Sequence, residues 1–394
     1  MDNALVPQAR LLYRTALAIF VVTIVIGILN GLDVWTPEHE VILTHVHAGT
    51  LGWITLSVVA TAMLIFGEGV DQKSAATARR LASTITVTTV VYVIAFFVGT
   101  GIYRPIAGTL ELAAILWLLS WVMGRYRNTP TTTARLALML ATISVTLGAV
   151  LGVLLGLFIA NGKLPGLGQE TASNLAGAHP PAMLIGYLIL AGVAITDWKL
   201  AGPDGRLGRL IAWGLFGSGL IINIAIIFDV EALIQVATLL EVAAIVAFIV
   251  RMWSKIKPSA WAEGGSANFA RMSVLFLAVG IGLLVYVVQL FVSGELDPES
   301  GESVGVLIAF DHSMFIGVMT NALFAAVGGL IGGSTIDRLI LWGTNAGLVG
   351  FLVGLSAESA VLKRISTPVM GLALLAGIYT YFTKLGRSEA MTPV

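Results

Sequence analysis

The amino-acid sequence is dominated by long, uninterrupted apolar stretches that are separated by short polar breaks. Each stretch has about 20 residues, the length that a helix needs to cross the hydrocarbon core of a bilayer. In hydrocarbon every backbone polar group must be satisfied within the chain, which leaves helices or a closed barrel. The apolar residues run continuously rather than alternating, and this pattern excludes a barrel. We therefore predict an all-α polytopic membrane protein.

Twelve transmembrane helices account for most of the 394 residues. Only 11% of the residues are charged, whereas a soluble domain carries about 25%, so one membrane domain is expected over residues 1–394. The predicted spans are 11–31, 41–67, 80–103, 105–124, 133–161, 177–198, 206–228, 230–254, 268–293, 304–332, 337–356 and 359–385.

The charged residues between the spans predict an orientation. Lysines and arginines gather in alternate loops, at 73–80, 125–135, 199–209 and 251–271, whereas the other loops carry acids such as Asp33, Glu38 and Asp229. By the positive-inside rule both termini are cytoplasmic, as an even number of spans requires. We expect a multi-pass protein of the inner (plasma) membrane, with lipid as its surroundings. The net charge of zero suggests no nucleic-acid partner.

Three basic residues are placed on the predicted outer side, against this trend. Arg104 lies between spans three and four, and Lys363 and Arg364 lie at the start of span twelve. Either each has a local anionic partner, or its long side chain reaches the lipid headgroups.

The five histidines reveal an internal repeat. His39 is expected in an outer loop, whereas His45 and His47, His179 and His312 lie near the outer ends of spans two, six and ten. His179 lies 132 residues after His47, and His312 lies 133 residues after His179; a glycine follows each motif five to seven residues later. This periodicity predicts three four-helix units around a pseudo-threefold axis, at approximately 1–130, 131–265 and 266–394.

Imidazoles at one depth of a membrane bundle indicate a cofactor site. A polar side chain inside the bilayer normally faces the bundle interior and serves a function, and neutral imidazole commonly binds haem iron or copper. The chain has no cysteine, which removes thiolate ligands and covalent CxxCH haem attachment. The alternative is that each histidine only hydrogen-bonds a neighbouring helix. His45 and His47 lie about 200° apart around their helix, so they cannot both face one site.

These features resemble subunit I of the haem–copper oxidases, the superfamily that includes nitric oxide reductases. The similarity covers the whole chain in architecture and short motifs in sequence. It implies that His47 and His312 are the axial ligands of a low-spin haem b, and that His179, in Ala178-His179-Pro180-Pro181, binds a second haem or a metal. It also implies that Lys363 and Arg364 bind haem propionates.

A local motif also resembles the NnrS family of haem- and copper-containing membrane proteins linked to nitric oxide stress. The family's HxHxxxxG[FW] motif is matched by His45, His47, Gly52 and Trp53, and a later segment is similar at His312, Gly317 and Met319. The basic segment that follows in that family is absent here.

Two departures from the oxidases limit the implied chemistry. Span seven has no histidine pair for copper, and Phe310 stands where the oxidases have a second span-ten histidine. A complete histidine-built binuclear centre is therefore not expected, and copper is doubtful. The sequence favours a protein with one or two haems that acts in electron transfer, or in binding or converting a small gas such as NO or O2. Its electron donor would be a protein or a quinol. The alternative function is secondary transport through a polar site in the bundle.

Overall fold

The computed structural model describes residues 3–99, 101–202, 204–296 and 304–390. Within these ranges it contains 12 helices that are long and apolar enough to cross a membrane, which confirms the predicted polytopic α-helical class. We name them α1 to α12 in chain order. Their bounds are Val6–Gly31, His39–Phe66, Gln72–Val98, Tyr103–Arg127, Thr133–Asn161, Gln169–Lys199, Arg206–Ile227, Glu231–Ile256, Ala267–Leu290, Val304–Ile331, Asp337–Ser356 and Ala360–Arg387.

Several helices extend beyond their predicted apolar spans. Helix α3 begins at Gln72 rather than at residue 80, because the Asp71 side chain caps its polar first turns by accepting a hydrogen bond from the Ser74 backbone N–H at 2.9 Å. Helix α6 begins at Gln169, eight residues before its predicted start, with the polar segment Gln169–Gly177. Hydropathy cannot place such ends, since polar turns continue a helix after it leaves the hydrocarbon.

Three helices form the centre of the bundle. In the most apolar part of α2, α6 and α10, 83%, 72% and 78% of the residues are buried, whereas no other span exceeds 50%. The three contact one another, and the Trp53 indole N–H of α2 donates to the Thr320 hydroxyl of α10 at 3.0 Å. The main cluster of buried apolar side chains draws on all twelve helices. The histidine-bearing spans are thus the inner ones.

A short π-helical segment follows each histidine motif in these central helices. The segments are Ala48–Thr55, Ala182–Leu188 and Ser313–Thr320. A π-helical turn adds a residue to the α-helical repeat and occurs mostly at functional sites. It also turns the outer part of the helix relative to the inner part, so it sets the direction in which each histidine points.

Buried arginines tie the predicted inner ends of the helices together. The Arg125 guanidinium donates to the carbonyls of Phe66 and Glu68, both at 2.9 Å. Arg135 pairs with the Glu68 carboxylate at 3.2 Å. Arg251 of α8 forms a buried ion pair with Asp197 of α6. These contacts lie at the end of the bundle that is opposite the histidines.

Candidate functional site

Four of the five histidines donate a hydrogen bond from Nδ1 to a backbone carbonyl. For His45, His47, His179 and His312 in turn, the acceptors are the carbonyls of Thr23, Leu43, Gly148 and Ile308, at 2.9, 2.8, 2.8 and 2.8 Å. A carbonyl can only accept, so Nδ1 carries the proton and Nε2 keeps its lone pair in the neutral ring. Within the described residues, no Nε2 has a hydrogen-bond partner. This is the arrangement of a histidine that binds a metal through Nε2.

The ring of His45 on α2 lies beside the ring of His312 on α10. The two ring centres are 6.4 Å apart, and the ring planes are inclined by 26°. A metal–imidazole bond is about 2.0–2.1 Å and a ring nitrogen lies about 1.1 Å from its ring centre, so two imidazoles on one metal have centres about 6.2–6.4 Å apart. The observed distance between the ring centres lies at the upper end of this range.

Helices α1 and α11 enclose this pair. The backbone of α1 passes close to His45, because a Cβ at Gly27 would meet the His45 Cε1 atom at 3.1 Å. On the other side, the Phe351 ring of α11 lies 5.0 Å from the ring centre of His312. Gly27 thus lets α1 approach the His45 imidazole, and the Phe351 ring limits the movement of the His312 ring.

His47 points to the opposite side of α2, toward α3. Its ring stacks on Phe96 with 3.8 Å between the ring centres and lies 5.7 Å from the Tyr92 ring. The structure therefore brings together His45 and His312, whereas the resemblance had paired His47 with His312. The two histidines of α2 face different sites, as their angular separation predicts.

A second site lies on the His47 side of α2. A cavity of about 660 Å³ is lined by His47 and His179, and also by Arg104 and Glu111 of α4. Cofactor sites typically occupy about 300–1,000 Å³, so this cavity has the size of one.

Two charged side chains of α4 reach this cavity with part of their hydrogen-bonding capacity unused. Arg104 donates to the Phe96 carbonyl at 3.2 Å, and its buried Nε has no partner among the described residues. One Glu111 oxygen accepts from the Thr89 hydroxyl at 3.0 Å, whereas the other, Oε2, has no partner in the described part of the chain. No motif surrounds Glu111, and its only sequence signal is an acid within an apolar span.

Lys363 and Arg364 share one carboxylate at the predicted outer end of the bundle. Lys363 Nζ and Arg364 Nε donate to the two oxygens of Asp33 at 2.7 and 2.8 Å. These hydrogen bonds, together with the two positive charges, hold the pKa of Asp33 below its usual value of 3.8. The local anionic partner that the sequence left open is therefore present for both residues.

The position of His39 and the grouping of the His, Asp and Glu side chains limit the kind of metal that this chain could hold. His39 is the first residue of α2 and is exposed. Among the described residues, no group of three or more His, Asp or Glu side chains could hold a metal ion. The histidines thus offer pairs of ligands rather than a complete protein-built coordination sphere.

No protein-family model matches the chain, and no curated protein matches it significantly.

Proposed function

We propose that this chain is an integral membrane b-type haem protein that holds a haem between His45 and His312 and acts in electron transfer. The observation that carries the proposal is the pair itself. Two neutral imidazoles on neighbouring central helices face each other at 6.4 Å, and each has its Nε2 available as a ligand.

The number of ligands favours haem over a bare metal ion. A structural zinc ion requires about four protein ligands. Haem iron receives four ligands from its own macrocycle and needs only axial ligands from the protein. A pair of histidines with no third His, Asp or Glu grouped with it among the described residues therefore matches the needs of haem.

The ligand set also favours electron transfer over gas binding at this site. If His45 and His312 both held the haem iron, the protein would leave no position for a gas molecule. The backbone carbonyls of Thr23 and Ile308 hold both rings in place through their Nδ1 atoms. The bound haem supplies reversible one-electron chemistry, and the protein supplies ligands and a surrounding of low polarity that sets the potential. Its electron donor would be a protein or a quinol.

Several features support a three-unit bundle of the haem–copper oxidase type. The three spans that carry histidines are the most buried, and each contains a π-helical segment directly after its histidine motif. We place the bundle in the inner (plasma) membrane with both termini in the cytoplasm, on the distribution of basic loops. Lys363 and Arg364 are the proposed propionate-binding residues, and their joint contact with Asp33 supports an affinity for carboxylate.

Absorption spectra of the purified protein test this function. Protein solubilised from haem-replete cells should show a Soret band and a reduced α-band. His45→Ala and His312→Ala should each remove the haem of this site, whereas His39→Ala, which changes an exposed histidine, should keep the wild-type spectrum. A colourless wild-type protein would refute the proposal and would favour transport instead.

A further inference from the structure

The cavity on the His47 side of α2 has mostly apolar walls, and most of its polar groups are hydrogen-bond acceptors. We propose that it binds a hydrophobic organic cation, of the kind that a bulky protonated amine represents. This proposal goes beyond the haem function proposed above and does not depend on His45 or His312. The cavity volume of about 660 Å³ fits a drug-sized molecule with an apolar body.

Three acidic side chains line the cavity. Glu231 is the exposed first residue of α8, Asp311 of α10 is partly buried, and Glu111 of α4 is buried. Among the described residues that line the cavity, Arg104 is the only arginine or lysine. When they are ionised, these groups have an excess of negative charge. In surroundings of low polarity such an excess attracts a cation strongly.

Glu111 is the acidic group that most needs a positively charged partner. It is 2% exposed, and its Oε1 accepts from the Thr89 hydroxyl at 3.0 Å, whereas its buried Oε2 has no partner among the described residues. A carboxylate that is buried without a counter-charge is destabilising, and a cation in the cavity would supply that charge. Arg104 lies seven residues earlier in α4, about 10 Å along the helix, and donates to the Phe96 carbonyl instead.

The two histidines that line the cavity offer acceptors. The Nδ1 atoms of His47 and His179 donate to backbone carbonyls, so each Nε2 keeps a lone pair that can accept a hydrogen bond. Ionised carboxylates also only accept. A protonated amine carries N–H donors on a positively charged group, and hydrogen bonds from such donors are stronger than neutral ones. It therefore complements this set of groups better than an anion does.

Aromatic side chains of the cavity provide contacts for the rest of such a ligand. Tyr92, Phe96, Phe310 and Phe315 all line it. A positive charge is attracted to the face of an aromatic ring, and the apolar body of the ligand would bury its surface against the same walls. The Arg104 guanidinium already makes a contact of this kind, with its Cζ 4.8 Å from the centre of the Phe96 ring.

Fluorescence polarisation of rhodamine 6G, a hydrophobic cation that carries N–H groups, tests the proposal on the purified full chain in detergent. We expect saturable binding that is displaced by 1-adamantanamine and not by 1-adamantanol, its neutral counterpart of the same shape. Equal displacement by the amine and the alcohol would mean that the cavity does not select for charge. Either this result or the absence of saturable binding would overturn the proposal.

Substitution of the buried acid tests which residue attracts the cation. Glu111→Gln keeps the size of the side chain and removes its charge, so it should weaken rhodamine 6G binding by at least about tenfold. Glu111→Asp retains the charge and should bind more tightly than Glu111→Gln. Glu241→Gln is the matched control, because Glu241 is 1% exposed within a span and is not among the residues that line the cavity. If Glu111→Gln and Glu241→Gln bind alike, the proposal fails.

Arg104→Gln separates an electrostatic effect from a loss of structure. This variant removes a positive charge from the cavity, so it should bind rhodamine 6G more tightly than wild type does, whereas misfolding would weaken binding. Weaker binding by an Arg104→Gln protein that elutes as wild type in size-exclusion chromatography would contradict the proposal.

The histidine variants separate this proposal from the haem proposal. His45→Ala and His312→Ala should keep the binding of rhodamine 6G, and this binding should still depend on Glu111. Loss of haem in these variants with retained cation binding supports both proposals. A colourless wild-type protein that binds rhodamine 6G would refute the haem proposal alone, and a haem-containing one that does not bind it would refute only the cation site.

Discussion

The protonation state of a histidine ring decides what the ring can bind. In each of His45, His47, His179 and His312, a backbone carbonyl accepts from Nδ1 and so fixes the position of the proton. Thr23 and Gly148 supply their carbonyls from neighbouring helices, whereas Leu43 and Ile308 lie four residues before the histidines that they bind. The sequence identifies the imidazoles but not these acceptors, because every residue carries a backbone carbonyl. The histidines could be predicted as candidate ligands, whereas the hydrogen bonds that leave each Nε2 with its lone pair required the structure.

The ion pair of Asp33 with Lys363 and Arg364 gives a prediction that depends on pH. The pKa of Asp33 is lowered in the folded protein, so its stabilising contribution is complete above the unfolded value of 3.8 and is lost as pH falls through the lower folded pKa. Asp33→Asn should therefore slightly lower the thermal unfolding temperature in detergent at pH 7, and the difference should vanish in acid.

Glu38→Gln, in the same outer segment, is the matched control and should leave the unfolding temperature unchanged. High salt should weaken the effect of Asp33→Asn, because the pair is exposed and salt screens it. An Asp33→Asn protein with wild-type stability at neutral pH would contradict a stabilising role of the pair.

The π-helical segments explain why sequence spacing did not decide between His45 and His47 as the partner of His312. The spacing gave their separation of about 200° on an ideal helix, and the structure agrees that they face different sites. Which of them faces α10 depends on the rotation of α2 in the bundle. The extra residues in Ala48–Thr55 and Ser313–Thr320 alter that rotation, and hydropathy does not register them.

Removal of one residue from a π-helical segment should separate His312 from His45. Deletion of Ile316 would restore α-helical spacing and turn His312 by about 100° relative to the inner half of α10. We expect the haem-to-chain ratio to fall by one, with the protein still in the membrane. Deletion of Thr131, in the loop between α4 and α5, is the control and should keep the wild-type ratio. Retention of full haem content in the Ile316 deletion would show that the register of α10 is unimportant.

At the scale of the whole molecule, the sequence predicted the helical spans well, since apolar segments of membrane length can hardly fold otherwise. It also marked α2, α6 and α10 by their histidines. What it could not show is the cavity, because Arg104, Glu111, His47 and His179 are brought together by packing between helices that are distant in sequence. No short segment of the sequence identifies a cavity that several helices enclose.

The proposed orientation can be tested by labelling introduced cysteines. The chain contains no cysteine of its own, so there is no background labelling. Lys163→Cys lies in the loop between α5 and α6, and Ser259→Cys lies between α8 and α9; both positions are exposed. In intact cells stripped of their outer membrane, an impermeant maleimide should label Lys163→Cys and should reach Ser259→Cys only after lysis. The reverse pattern would place the termini outside.

The central claim is that a haem is bound between His45 and His312, and the low-spin ferric signal in electron paramagnetic resonance tests it most directly. The double variant His47→Ala/His179→Ala leaves that pair intact and should retain one low-spin haem per chain with two imidazole ligands. The double variant His45→Ala/His312→Ala should lack this signal. A low-spin signal that persists unchanged in His45→Ala/His312→Ala and disappears in His47→Ala/His179→Ala would contradict the account.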